Sequence, residues 1–169
     1  IITIHGIVTS VPEELGIIMD YAPHGSLRQV LDKMDKDFQL ATLYHWSRDV
    51  AYAMNYLHQQ NIFHRDLKSL NVLICENFKA KVSDFGASKA SELHSTLANS
   101  TTTATTRRNS NDHVGTAAWM APEYILNNEF TVKSDVYAYA IVIWEILTGE
   151  IPWKGLSQVQ IISKVTQQH

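Results

Sequence analysis

Between residues 42 and 59 the apolar side chains Leu43, Trp46, Val50, Ala53, Met54 and Leu57 recur at spacings of three and four. That spacing lines one face of an amphipathic helix, and Thr42 stands where a cap would. Ahead of it the pattern changes. Residues 1–8 and 15–21 are rich in β-branched and aliphatic side chains, with Val11-Pro12-Glu13-Glu14 as a turn between them. They predict two short strands. His24-Gly25-Ser26 breaks the second strand, and Ser26 is placed to cap a helix starting near Leu27. Apolar runs at 71–75 and 80–82 flank Glu76-Asn77 and predict a small hairpin. Residues 88–111 are dominated by Ser, Thr, Asn and Ala, which predicts a mobile loop. Residues 133–148 are so uniformly apolar that a buried helix is predicted, ended by Gly149 and Pro152. A further helix begins over 159–165, and no internal repeat is visible.

The chain has 169 residues, of which 45% are hydrophobic, enough to build one packed core. A net charge of −3 argues against a nucleic-acid partner, which would want a basic stripe. The single cysteine, Cys75, cannot form an internal disulfide, so a reducing compartment is the simpler setting. The nearest approach to a membrane span is 138–147, and Glu145 interrupts it. The first residue is Ile1 and not Met, which leaves a preceding signal or anchor open.

Three sequence words carry chemistry. The first is His64-Arg65-Asp66-Leu67-Lys68-Ser69-Leu70-Asn71, the second Asp84-Phe85-Gly86, and the third Ala121-Pro122-Glu123. Taken singly, each residue has an ordinary structural use: a cap, a surface carboxylate, a turn. Together and in this order they fit H-R-D-L-x-x-x-N, D-F-G and A-P-E. On these words the chain resembles the protein kinase superfamily over essentially its whole length.

The resemblance implies an α+β, bilobal fold with a mainly helical large lobe and a remnant of the β-rich small lobe. Residues 1–169 would then be an incomplete catalytic domain. Within it, 1–19 would be the small-lobe remnant, 20–24 the hinge and 25–169 the large lobe, with an activation segment over 84–123. Phosphoryl transfer needs positioning and charge neutralisation more than covalent help. Asp66 is the carboxylate expected to orient or accept the proton of the attacking hydroxyl. Asp84 and the side-chain oxygen of Asn71 fit a magnesium ion, a hard cation that bridges the phosphates of ATP. Lys68 resembles the lysine that steadies the transferred phosphate. Met19 stands as gatekeeper, the backbone of Asp20 and Ala22 as adenine partners, and Leu73 as the apolar floor beneath the ring. The alternative is that these four are ordinary strand residues, and Leu73 is expected to be buried either way.

Lys68, and Gly115-Thr116-Ala117-Ala118-Trp119-Met120 before the A-P-E word, resemble Ser/Thr rather than tyrosine kinases. Thr116 is expected to bridge Asp66 and Lys68. Ser134-Asp135-Val136-Tyr137 with Trp144-Glu145 is most similar to the tyrosine-kinase-like branch, which includes mixed-lineage and Raf-type kinases. Asp135 would hold the catalytic-loop backbone from below. Ala140 replaces a glycine common there and is expected to crowd a packed helix contact. Arg65 and Lys89 would receive a phosphate on the activation loop. Arg107-Arg108-Asn109-Ser110 makes Ser110 the candidate for modification by an upstream kinase, the alternative being solvated loop charges.

No G-x-G-x-x-G loop or V-A-I-K lysine is present in the chain. They are expected before Ile1, and the partner of Glu123 after His169, so this fragment alone is expected to turn over negligibly. The expected function is ATP-dependent phosphorylation of protein Ser/Thr hydroxyls in a cytoplasmic protein or a cytoplasmic domain. The alternatives are a non-catalytic scaffold or competitor and, in third place, a tyrosine kinase.

Overall fold

The computed structural model describes residues 1–11, 14–33, 39–84, 89–90 and 116–167. Strands β1 (Ile4–Val11) and β2 (Glu14–Met19) pair antiparallel, with Ile7 opposite Ile17 and two register shifts along the ladder. The β1 strand begins three residues later than the β-branched run, because Ile2 instead donates its N–H to Val82 O at 2.9 Å. Ile4, Ile7, Ile17 and Ile18 are all more than half exposed among the described residues.

The rest is a helical body. Helix α1 (Leu27–Lys33) starts at Ser26, whose Oγ accepts from Gln29 N while Gln29 Oε1 accepts from Ser26 N. That reciprocal pair is a capping box built with glutamine. Helix α2 (Leu40–Gln59) buries Trp46, Val50, Ala53, Met54 and Leu57, the face expected from the spacing. It starts two residues before Thr42. Gln39 is its cap and makes no side-chain cap bond, so the expected Thr42 cap is corrected. Each of the larger side chains so buried contributes about 1.5–3 kcal/mol.

Strand β3 (Ile62–Phe63) follows, then a 3-10 turn at Ser69–Asn71, and the hairpin β4 (Val72–Ile74) and β5 (Ala80–Val82). The hairpin connection is longer than a two-residue turn: Glu76–Phe78 form a 3-10 turn with Asn77 left-handed at φ 55°. Strand β6 (Lys89–Ala90) pairs with β3. Two residues of the expected loop at 88–111 are therefore strand, because β3 offers them a backbone ladder. The remainder of that loop lies outside the described residues.

Helix α3 (Pro122–Asn127) carries proline at its first turn, and helix α4 (Val132–Thr148) is capped by Thr131 with Ser134 in a capping box. Gly149 ends α4 in the left-handed conformation, donating to Glu145 O at 2.8 Å. Among the described residues α4 is buried on one face only: Ser134, Asp135, Ala138, Val142, Glu145 and Ile146 are inside, while Trp144 and Leu147 are exposed. Ala140 is exposed as well, so its methyl group does not crowd a described contact. Helix α5 (Gln158–Gln167) packs Ile161 and Val165 on the core. Among the described residues no helix is long and apolar enough to cross a membrane.

Candidate active site

The catalytic-loop residues are held from beneath by one carboxylate. Asp135, 1% exposed in the first turn of α4, accepts from His64 N at 3.0 Å, from Arg65 N at 3.1 Å and from His58 Nε2 at 2.8 Å. Arg65 has a left-handed backbone with φ 70°, which costs a non-glycine residue about 1–3 kcal/mol. The two charge-assisted bonds to Asp135 offset that strain. Asp84 is also left-handed, at φ 61°.

His64 is fully buried, with Nε2 3.0 Å from Ser83 O and Nδ1 accepting from Asp66 N at 3.3 Å. A carbonyl on one nitrogen and an N–H on the other select the neutral ring with its proton on Nε2. Burial holds its pKa below the ordinary value, against the pull of the Ser83 carbonyl and nearby carboxylates.

On this base four predicted residues gather. Lys68 Nζ lies 2.8 Å from Asp66 Oδ2 and donates to Thr116 Oγ1 at 3.3 Å. Asn71 Nδ2 donates to Asp66 O at 2.8 Å and to Asp66 Oδ2 at 3.1 Å. The expected bridge is thus made by the Lys68 ammonium, not by the Thr116 hydroxyl. Ser83 N and Oγ both donate to Asn71 O, at 2.8 and 2.9 Å, so Asp84 follows directly on a residue bonded to Asn71. The Asn71 amide nitrogen is committed to Asp66, so Oδ1 is the atom left for a cation. Asn71 Oδ1 and the Asp84 carboxylate are hard oxygen donors. Two such donors suit magnesium, which keeps waters and takes phosphate oxygens for the rest of its shell.

Just after β2, Asp20 N donates to Thr3 O at 2.9 Å and Ala22 O accepts from Gly25 N at 3.1 Å. Among the described residues these bonds leave the Asp20 carbonyl as an acceptor and the Ala22 N–H as a donor. Met19 is 42% exposed. Leu73 is only half-buried, between Val72 and Ile74 at 0%. The expected burial of Leu73 is corrected: strand alternation sends its neighbours to the core and Leu73 to the other face. The Asp20 carboxylate receives Lys81 Nζ at 2.6 Å and His5 Nε2 at 2.7 Å, and these partners, Lys81 first, hold it far below the usual carboxylate range.

Of the regulatory candidates, Arg65 stacks its guanidinium 5.3 Å from the Phe130 ring centroid. Its Nε is buried without a hydrogen-bond partner among the described residues. The backbone of Lys89 sits opposite Phe63 in β6, two residues from Arg65, and its side chain lies outside what the structure describes. Ser110, Phe85 and Gly86 also lie outside it.

Sequence reasoning missed a second buried node. Glu145, 0% exposed in α4, accepts from Ser69 Oγ at 2.5 Å, Trp119 Nε1 at 2.8 Å and Arg28 Nη1 at 3.3 Å. Burial pushes its carboxyl up from the ordinary range, while Ser69, Trp119 and Arg28 pull it back. The signal was available: Glu145 is the one charge in an apolar run at 136–148, and a charge there must be paired. Glu123, by contrast, accepts from Ser134 Oγ at 3.0 Å.

A family model described as protein tyrosine and serine/threonine kinase matches residues 1–169. Mitogen-activated protein kinase kinase kinase 13 of Homo sapiens is 41% identical over 162 residues, covering 96% of this chain and 15% of that protein. The related protein 13-A of Xenopus laevis is 40% identical over 162 residues, with the same coverage of 96% and 15%. Serine/threonine-protein kinase STY46 of Arabidopsis thaliana is 38% identical over 156 residues, 92% of this chain and 25% of that protein. The chain thus spans a quarter or less of the length of these relatives.

Proposed function

We propose that this chain, which belongs to the protein tyrosine and serine/threonine kinase family, carries the site at which the γ-phosphoryl group of ATP passes to a Ser or Thr hydroxyl of a protein. The observation that carries the reading is the Lys68 ammonium held between Asp66 Oδ2 and Thr116 Oγ1. Asp66 orients the acceptor hydroxyl and takes up its proton. Lys68 stands beside it as the positive charge for the transferring phosphoryl oxygens. Thr116 borders the place of the acceptor side chain. Bound magnesium neutralises charge on the ATP phosphates, and Asn71 Oδ1 and the Asp84 carboxylate would hold it. Met19, the backbone of Asp20 and Ala22, and Leu73 form the adenine end, with 20–24 as the hinge.

The Ser/Thr preference is supported by Lys68, by Thr116 and by the name of STY46. Another relative is named a kinase kinase kinase, so a protein kinase is the corresponding proposal for the acceptor here. Arg65 and Lys89 form the proposed receptor for an activation-loop phosphate, with Ser110 as the residue an upstream kinase modifies. The proposed setting is cytoplasmic. The test is phosphoamino-acid analysis of a protein acceptor after incubation of the full-length protein with γ-labelled ATP and magnesium. Phosphoserine or phosphothreonine is the expected product. Phosphotyrosine would reassign the acceptor, and no label would favour a non-catalytic scaffold.

A further inference from the structure

Residues 20–22, the segment proposed to meet adenine, belong to no helix or strand, so their shape depends on what grips them. Both ends of the segment are held by the β4–β5 hairpin. At Asp20 both carboxylate oxygens are engaged: Lys81 Nζ of β5 donates to Oδ2 at 2.6 Å, and His5 Nε2 of β1 lies 2.7 Å from Oδ1. Beyond Ala22, His24 N donates to Ile74 O at 3.3 Å and Ile74 N donates to Gly25 O at 2.8 Å. The His24 ring lies against the Phe78 ring, with centroids 4.4 Å apart and planes 15° apart. Phe78 presents that ring from a left-handed backbone at φ 54°, a conformation costly for an aromatic residue. Its carbonyl is fixed by Trp46 Nε1 at 2.8 Å. The register of the hairpin explains why Lys81 is the residue that reaches Asp20. Leu73 and Lys81 are direct cross-strand partners, so their side chains share one face. Val72, Ile74, Ala80 and Val82 take the other face and are buried in the core. One cross-strand pair therefore supplies both the proposed floor beneath the base and the cation that grips the segment at its edge.

We infer that Lys81 is a positioning residue for the nucleotide base: through the Asp20 carboxylate it aligns the Asp20 carbonyl and the Ala22 N–H with adenine, and so sets the preference for adenine over guanine. The inference rests on the proposed ATP reading and deepens it by adding a side chain that acts through Asp20. A part-exposed ion pair adds little to stability, so the effect of this one is geometric. Adenine presents an amino donor where guanine presents a carbonyl acceptor. A backbone carbonyl held still at that point accepts from the first and repels the second. Loss of the grip should therefore fall on adenine affinity and base preference, and leave the chemistry at Asp66 untouched.

The experiment is calorimetric titration of the full-length protein with ADP and with GDP, alongside peptide kcat at saturating ATP. The proteins are wild type, Lys81→Met, Lys81→Arg and Lys79→Met. Lys81→Met keeps an unbranched stem and removes the charge. It should weaken ADP about tenfold, the scale of one well-placed hydrogen bond, while GDP changes by less than about twofold. Its kcat at saturating ATP should stay within about twofold of wild type. Lys81→Arg restores a cationic donor and should recover ADP affinity to within about threefold of wild type. Lys79→Met removes an exposed charge from the same hairpin and should leave ADP affinity unchanged. Asp20→Asn breaks the same link and serves as the test if Lys81→Met does not fold. The double variant should bind ADP about as well as Lys81→Met alone. A brace that only stabilises the fold predicts a lower melting temperature with unchanged ADP affinity. A general weakening of the site predicts parallel losses for ADP and GDP. Either result would overturn the inference. If wild type binds neither nucleotide, the ATP reading has failed, and the inference with it.

Discussion

Asn71 grips Asp66 at two points, its Nδ2 donating to the backbone oxygen at 2.8 Å and to carboxylate Oδ2 at 3.1 Å. The pair does two things at once. It fixes the Asp66 rotamer, and it commits Asn71 Nδ2 to Asp66, so that Oδ1 is the atom the proposed magnesium role would use. Asn71→Asp would set two carboxylates against each other at this distance, and one of them would resist ionisation. The expected outcome is a fall of about 100-fold in kcat with a higher magnesium requirement. Steady-state rates across a magnesium titration measure both.

The Asp135 carboxylate is a structural counterpart. It is 1% exposed and accepts from two backbone N–H groups and from His58. Asp135→Asn keeps the shape but removes the charge and one acceptor. It should destabilise the domain by about 2–4 kcal/mol. Chemical denaturation of wild type and variant under the same buffer gives that difference directly.

His64 gives the fold a pH dependence of known sign. Its ordinary pKa is 6.5 and burial lowers it in the folded state. Below pH 6.5 the unfolded chain therefore binds a proton that the folded chain refuses, and acid favours unfolding. The slope from this residue reaches at most about 1.4 kcal/mol per pH unit. Stability should be level through neutral pH and fall from pH 6.5 downward. Denaturation midpoints at pH 7.5 and 5.5 check it, and His64→Phe should flatten that fall.

Arg65 rests its guanidinium on Phe130, whose ring also meets Tyr124 edge-on at 5.2 Å and Phe63 at 5.9 Å. Phe130→Ala should cost about 1–3 kcal/mol from the lost packing and cation–π contact. Phe130→Tyr keeps the ring face and should stay within about 0.5 kcal/mol of wild type. Thermal unfolding of the three proteins separates the two outcomes.

The periodicity of α2 was legible because one face of it carries the core, and five of the six residues counted from the sequence are buried. Its start was not, because Gln39 caps by backbone conformation alone. The cluster Asp66, Lys68, Asn71 and Thr116 was legible as a motif, since these residue types fall at fixed positions in two sequence words. Which group bridges was not, since a sequence word does not say that Lys68 lies between Asp66 and Thr116. Arg28, Ser69 and Glu145 escaped for a different reason. They are 41 and 76 residues apart along the chain and meet only when α1, the catalytic loop and α4 pack. Apolar patterning marks which face is inside, but not which polar side chain on that face finds which partner.

The central claim is that Asp66 performs proton handling in ATP-dependent phosphorylation of Ser/Thr hydroxyls. The most direct measurement compares kcat of wild type and Asp66→Asn, in the full-length protein, on a peptide holding Ser, Thr and Tyr acceptors. The account predicts magnesium-dependent transfer to Ser or Thr by wild type and a loss of about 10²–10⁴-fold in kcat for Asp66→Asn, with ATP binding retained. Equal rates for the two proteins, or no transfer by wild type, would contradict it.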